Sequence, residues 1–534
     1  MENKYIIGLD FGTLSARALV VSSEDGTVMG EQVVSYAHGV ITEKLPDGTA
    51  IPADYALADP QDYRNALMES IRGAVAKSGV RREDIIALGI DATTYTMVPS
   101  LADGTAVCEL DGFASEPMAY IKLWKHNAAL PQSDRVQKLF DEEGMFPVLK
   151  RYGSVCNCQF ALPKLLETWE KAPAVFVAAE HFYDLGDWLA ALLTGKRYHS
   201  LYSASYKELW SEETQWPKKE ELDALSPGFG AAFYEKAAGE VRGYEAPWGS
   251  LLPEMAEKLG LNPGIAVASP MGDGSIPGVY FCIKEPRSIA VTVGTSLAMS
   301  FTTDEKTEMK GINGFSFGGI VPGRWSYDAG TPCAGDMLSW FVGHMVPQDT
   351  AEKARAENKS IHACLAELAN AEPWNNGLTV LDWWNGNRCI LSDMSLRGSI
   401  LGLGLATTTA DMYCAFVQSI ACSIRTILEH FHANGIDFDD VILCGGIPQK
   451  NRFLVEQIAS IAGRSIKVSR ETQLTAISAA ILGAMAAGID IREAAQRMTN
   501  KEYIHVEPDT AHKAEYDALY RRWKRYHDLL SRKA

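Results

Sequence analysis

Short apolar runs broken by glycine-bearing turns set the rhythm of this chain. Tyr5-Ile6-Ile7-Gly8-Leu9 has strand length; Asp10-Phe11-Gly12-Thr13 interrupts it, and a second apolar run continues to Val21. That pattern predicts a β-hairpin. About half the chain later, Ser288 to Phe301 repeats it: apolar run, Gly294-Thr295-Ser296, apolar run. Glycine lets a turn backbone approach a phosphate closely, and Thr or Ser adds a hydroxyl donor. Two such hairpins, one in each half, suit the gripping of one polyphosphate. A third turn follows the apolar run Val441 to Cys444 and reads Gly445-Gly446-Ile447-Pro448-Gln449-Lys450-Asn451. After it, Phe453, Ile458 and Ile461 recur at helical spacing. Strand, diglycine turn and helix make a ledge on which a nucleoside can lie. Each turn alone is equally an ordinary hairpin or loop; their order along one chain is the specific signal.

Other patterns fill in the organisation. Met271-Gly272-Asp273-Gly274 exposes an aspartate between glycines shortly before the second hairpin, although a turn-forming Asp would look the same. Residues 130–260 carry helix-spaced apolar positions with Pro and Gly breaks, and predict a helical insertion. Ala476 to Gly488 is a bland Ala/Gly-rich run, too short to span a bilayer and suited to a buried helix. Near the end, Ala514 to Arg532 places Tyr516, Leu519, Tyr520, Trp523, Tyr526 and Leu530 on one helical face. Arg521, Arg522, Lys524 and Arg525 fall largely off that face.

Composition narrows the classes. A chain of 534 residues should hold two large domains or several smaller ones. With 47% hydrophobic and 22% charged residues it is ordinary globular protein, not a disordered or fibrous one. Lys+Arg 50 against Asp+Glu 67 gives −17, so bulk charge excludes nucleic acid and anionic membranes as partners. The basic C-terminal segment is therefore expected to dock on the body. Any phosphate must be held locally, by backbone N–H groups, a helix end or a metal. The ten cysteines are scattered, and only Cys156 and Cys158 are close, so free thiols are expected and not a zinc framework. No secretory leader opens the chain, which predicts a cytoplasmic protein. Gly195-Lys196-Arg197 is not a P-loop, and Gly402-Leu403-Gly404 lacks the third glycine of a dinucleotide fingerprint. His-Glu-x-x-His does not occur.

The order Asp-x-Gly-Thr, Gly-Asp-Gly, Gly-Thr-Ser and Gly-Gly-x-x-x-Lys-Asn resembles that of the FGGY carbohydrate kinases. The resemblance covers nearly the whole chain and narrows to the ribulokinases through several runs. These are Gly89 to Thr96 (GIDATTYT), Leu123 to His126 (LWKH), Asp184 to Trp188 (DLGDW), Ser203 to Trp210 (SASYKELW), Asp382 to Arg388 (DWWNGNR) and Leu519 to Trp523 (LYRRW). It implies an α/β fold: a two-domain actin-like ATPase (ribonuclease H-like) architecture with the active site in the interdomain cleft. The expected boundary lies near Val279-Tyr280, giving domains 1–279 and 280–534. In the first lie the sugar site, the first phosphate hairpin and the helical insertions. The second holds the other phosphate hairpin, the adenosine ledge and the docked C-terminal helix.

By the same resemblance the chain phosphorylates a ketopentose with ATP and Mg²⁺, L-ribulose first among the sugars; D-ribulose, xylulose or an alditol is the alternative. Asp273 matches the family's catalytic aspartate and would accept the hydroxyl proton. Asp10 would orient Mg²⁺ through its waters, because a carboxylate placed directly beside phosphates repels them. Gly12, Thr13, Gly294, Thr295 and Ser296 would hold the phosphates, so losing the hydroxyl of Thr13 or Thr295 should disturb nucleotide handling and spare sugar binding. Gly445, Gly446, Lys450 and Asn451 would line the nucleoside ledge. Thr94, Trp124, Lys125, Lys207, Asp273 and Asp328 would face the sugar. Trp124 is equally readable as a core aromatic, Lys125 and Lys207 as solvated charges, and Thr94 as a strand-end residue. Two positions depart from the ribulokinase pattern: Asp328-Ala329-Gly330 replaces Glu-Ala-Gly, and Thr94 replaces a Gly or Ala. A homodimer is expected on family grounds. The competing class is an actin-like ATP-driven module that phosphorylates no sugar.

Overall fold

The structure is a computed structural model that describes residues 4–369, 377–500 and 502–531. It divides into two compact units. One comprises residues 1–286, 314–326 and 473–500; the other comprises 287–313, 327–472 and 501–534.

In the first unit, strands β1 (Tyr5–Phe11), β2 (Ser15–Ser22) and β3 (Val28–Ser35) form an antiparallel meander. β4 (Ile85–Ala92) adds to β1 in parallel, with Asp10 opposite Asp91. Two short strands, Ala266–Val267 and Met271–Gly272, then pair in parallel with successive parts of β4. Both faces of β1 and β4 are covered, so the strands are apolar on both sides, as buried parallel pairs are. The helix Pro60–Ser78 covers one face with Tyr63, Ala66, Leu67, Ile71 and Ala74, starting at an N-cap in which Asp59 accepts the Gln61 N–H. The helix Leu474–Ala486 covers the other, bearing out the buried helix expected of the Ala/Gly-rich run. It lies unusually close. A Cβ at Gly8 or Gly89 would overlap the carbonyl oxygens of Ala476 and Ala479, so glycine at both positions sets the helix-to-sheet spacing. These residues pack in the first unit although they come late in the chain.

The insertion between residues 130 and 260 is helical as expected, from Leu130–Glu143 to Pro253–Leu259. Many of its helices share a core of their own around Phe146, Leu149, Tyr152, Phe160, Phe176 and Phe229.

The second unit repeats the arrangement. β5 (Ser288–Val293) and β6 (Leu297–Thr303) form the second hairpin, β7 (Trp325–Ala329) lies beside β6, and β8 (Asp440–Cys444) pairs with β5 in parallel. β9 (Ile466–Ser469) and β10 (Tyr503–Val506) extend the sheet. The C-terminal helix runs Lys513–Leu530, and Arg532 lies outside the described residues. It docks as expected: Trp523 Nε1 donates to the Val380 carbonyl at 2.7 Å, and Tyr516, Leu519, Tyr520 and Trp523 are buried. The buried face ends on His527 instead of Tyr526 and Leu530, since Leu530 is 42% exposed. All ten cysteines are buried, and none is in a disulfide. Among the described residues no helix is long and apolar enough to cross a membrane.

Candidate active site

Three carboxylates meet where the parallel strands of the first unit end. Asp10 closes β1 opposite Asp91 on β4, and Met271 pairs with Asp91, which delivers Asp273 one step beyond the short strand. The Asp273 N–H donates to the Ala92 carbonyl at 2.9 Å, and the Thr93 N–H to the Phe11 carbonyl at 3.0 Å. Carboxyl ends of parallel strands are where open α/β sheets bind ligands. The Asp273 carboxyl is pushed up to about 7, first by loss of hydration and then by the Asp10 charge, while the Gly274 N–H and Lys207 pull it down. Asp10 accepts a hydrogen bond from Thr475 Oγ1 at 2.7 Å, in the first turn of the Leu474–Ala486 helix. Asp91 is wholly buried and neither carboxylate oxygen has a hydrogen-bond partner among the described residues. Burial and the Asp10 and Asp273 charges raise its pKa well above the ordinary carboxylate range.

The residues expected to face the sugar gather here in part. Thr94 lies against Gly272: a Cβ at position 272 would overlap Thr94 Oγ1 and the Tyr202 ring. The absent side chain of Gly272 leaves the room that the Thr94 hydroxyl occupies. Lys207 ends the helix Leu201–Lys207, and its Nζ lies 5.3 Å from the Tyr95 ring centroid. Trp124 Nε1 donates to Thr13 Oγ1 at 3.1 Å, and Lys125 Nζ lies 5.8 Å from the Trp124 ring. The tryptophan motif and the first Gly-Thr turn are therefore one assembly. Asp328 belongs to the second unit, on β7, where its buried carboxylate accepts from Asn313 Nδ2 at 2.7 Å.

The Trp124 bond changes the expectation for Thr13. Its oxygen accepts the indole N–H and keeps its own proton to donate. Thr13→Val should therefore weaken sugar binding measured by titration without nucleotide, by the ~1 kcal/mol of a lost hydrogen bond. Thr295→Val should leave that binding unchanged. Equal behaviour of the two variants would break the link.

In the second unit the hairpin turn is closed by Gly294 N–H to Ser296 O at 2.9 Å. The helix Gly335–Met345 begins directly on it: the Ala334 N–H donates to Thr295 O at 2.8 Å and the Gly335 N–H to Gly294 O at 2.9 Å. Gly445 has φ +93°, a left-handed conformation, and lies close to the Val293 carbonyl, where a Cβ would be crowded. Thr295, Gly446 and Lys450 are exposed, and Ser296 is half-buried. Asn451 is turned inward: its oxygen caps the helix Arg452–Ala462 by accepting from Leu454 N at 3.1 Å, and its amide donates to Tyr413 Oη at 2.9 Å. Its side chain holds the ledge in place from behind.

Sequence reasoning missed several residues. Asp91 sat inside a recognised run without being assigned a role, although Gly8-x-Asp10 and Gly89-x-Asp91 are the same triplet on two parallel strands. Asp184 accepts the Tyr95 N–H at 2.8 Å and is pushed up to about 7, chiefly by burial. Asp187, His199 and Glu208 also come together, but His199 Nδ1 bonds Glu208 at 2.7 Å and Asp187 Oδ2 accepts from Ser200 N at 3.1 Å, which uses much of that cluster internally.

A duplicated sheet with a Gly-Thr turn at each hairpin and carboxylates at parallel strand ends defines an actin-like ATPase fold equipped for phosphoryl transfer. Residues 5–279 match the N-terminal domain of the FGGY family of carbohydrate kinases, and residues 289–487 match its C-terminal domain. The chain belongs to that family and is an ATP-dependent sugar kinase. It is 34% identical to a ribulokinase of Halalkalibacterium halodurans over all of this chain and 96% of the relative. It is 36% identical to a ribulokinase of Mycolicibacterium smegmatis over 99% of this chain and 94% of that one. In fold it matches the crystal structure of a gluconate kinase from Lactobacillus acidophilus with a TM-score of 0.76 at 18% identity, covering 99% of each chain. Membership of a sugar-kinase family through both halves sets aside the reading as an ATP-driven module without sugar chemistry.

Proposed function

We propose that this kinase phosphorylates a ketopentose at a terminal hydroxyl, with L-ribulose as its best substrate and L-ribulose 5-phosphate as product. The observation that carries this reading is the convergence of Thr94 and Lys207 on Asp273, in a chain whose full-length relatives are ribulokinases. In the proposed reaction Asp273 accepts the proton of the attacking hydroxyl as the new O–P bond forms, and ADP leaves with the electrons of the broken bond. Amides and hydroxyls of Gly12, Thr13, Gly294, Thr295 and Ser296 stabilise phosphate charge. Gly445, Gly446 and Lys450 line the nucleoside ledge, with Asn451 fixing it from behind. Trp124, Lys125, Lys207 and Asp328 orient the sugar. Mg²⁺ fits the strand end at Asp10: its half-buried carboxylate, held by Thr475, offers the oxygens that would orient a hard cation through its waters. When bound, the ion would neutralise charge on the polyphosphate.

Relative to the family's glutamate, Asp328 withdraws its carboxylate by about one C–C bond, ~1.5 Å. Thr94 adds a methyl and a hydroxyl. We read these as compensating, because the flanking runs stay ribulokinase-like. A panel of ketopentoses and alditols with ATP should then give L-ribulose the highest kcat/KM. Preference for another sugar by tenfold, about 1.4 kcal/mol, would overturn L-ribulose and leave the sugar kinase intact.

A further inference from the structure

Helix Ala161–Lys171 carries a fully buried lysine, Lys164, whose Nζ donates to two main-chain carbonyls, those of Tyr95 and Leu123, the latter at 2.8 Å. Those carbonyls belong to the residues that directly follow Thr94 and directly precede Trp124. Its neighbour Lys122 is also buried but satisfied differently, by Glu167 at 2.8 Å and Thr168 at 2.9 Å. Among the described residues Lys164 makes no ion pair. Burial lowers the Lys164 pKa to about 7. An amine buried without a carboxylate is an expensive way to fill a core, and a methionine would supply the same stem.

What the Lys164 amine holds is a strained turn. Tyr95 has φ +73°, which is rare for a bulky residue and persists only where the surroundings over-determine it. Its N–H is held by Asp184 at 2.8 Å, its carbonyl by Lys164, and Thr93 Oγ1 bonds Thr96 Oγ1 across the turn at 2.9 Å. The Tyr95 ring centroid lies 5.3 Å from Lys164 Nζ and also 5.3 Å from Lys207 Nζ. The second anchored segment continues from Leu123 into Trp124, which donates to Thr13.

We infer that Lys164 is a positioning residue for the sugar site: by holding the Tyr95 and Leu123 carbonyls on one side-chain nitrogen, it fixes the spacing between the Thr94 turn and the Trp124 segment. The inference rests on the reading of Thr94 and Trp124 as sugar-facing. It touches neither the sugar nor ATP. Misplacement of a positioning contact by about an ångström can cost ~10²-fold in rate, so the effect should fall on sugar recognition. A site whose hydroxyl contacts slip also loses discrimination between sugars that differ in one hydroxyl.

The test is Lys164→Met in the full chain. It is assayed with whichever sugar the wild type turns over fastest, so a wrong ketose assignment shows in the wild-type panel and not in the variant. The expected result is a folded protein whose KM for sugar rises tenfold or more, whose KM for ATP stays within about twofold, and whose preference among ketopentoses narrows. A sugar KM within twofold of wild type would overturn the inference, as would equal rises for sugar and ATP, the signature of a general structural loss. If the methionine variant does not fold, Lys164→Arg is read by the same criteria. Failure of both to fold would assign Lys164 to the core alone and also overturn the inference.

Discussion

Asp273→Asn is expected to lower kcat by ~10²–10⁴, the range of a lost general base, with KM for sugar and ATP changed far less. The amide keeps the shape of the carboxylate and removes its affinity for a proton. Burial and the Asp10 charge set the pKa of Asp273 to about 7 instead of 3.8, close to where a base works best. In the wild type kcat/KM should therefore climb tenfold per pH unit below about 7 and level off above it, because only the ionised carboxylate accepts the hydroxyl proton. The stability sign is opposite. Between about 4 and 7 the folded state keeps a proton that the unfolded state has lost, so this group makes stability fall as pH rises through that window. Asp273→Asn removes the penalty, and at pH 8 its melting temperature should equal or exceed that of wild type. A variant that keeps more than a tenth of wild-type turnover would place the base elsewhere.

Gly89→Ala should have the largest effect on stability. A methyl at this position would occupy the space of the Ala479 carbonyl, which is backbone in the middle of a buried helix and has no rotamer through which to yield. Either the Leu474–Ala486 helix lifts from the sheet or β4 bends, and β4 carries Asp91 between Asp10 and the strand that delivers Asp273. The cost is expected at the top of the overpacking range, about 3 kcal/mol or more. Thermal unfolding reads it directly. A loss below about 1 kcal/mol would mean that the helix adjusts freely and that glycine does not set its distance.

Much of this protein is determined locally. The two hairpins are legible because an apolar run, a Gly-Thr turn and another apolar run leave few alternatives at that length. The Leu474–Ala486 helix is legible because an Ala-rich apolar run too short for a bilayer must be buried. The helical insertion and the docked C-terminal helix follow from apolar periodicity. Motif order brought Asp10, Thr13, Asp273 and the diglycine ledge to notice.

The tertiary structure decided what those residues do to one another. Asp10 meets Thr475 across 465 positions of chain, and Thr13 meets Trp124 across 111; no window of sequence contains either pair. Asn451, read as a ledge residue, is spent on a helix cap and a tyrosine hydroxyl. Thr94 occupies space left by the absent side chain of Gly272, a pairing that no window of sequence contains. Tyr95 and Lys164 gave no sign at all, because a left-handed φ and a buried lysine are consequences of packing. Periodicity reports which face of an element is buried; it does not report which elements supply the burial, and hydration, charge and strain at the strand ends depend on that.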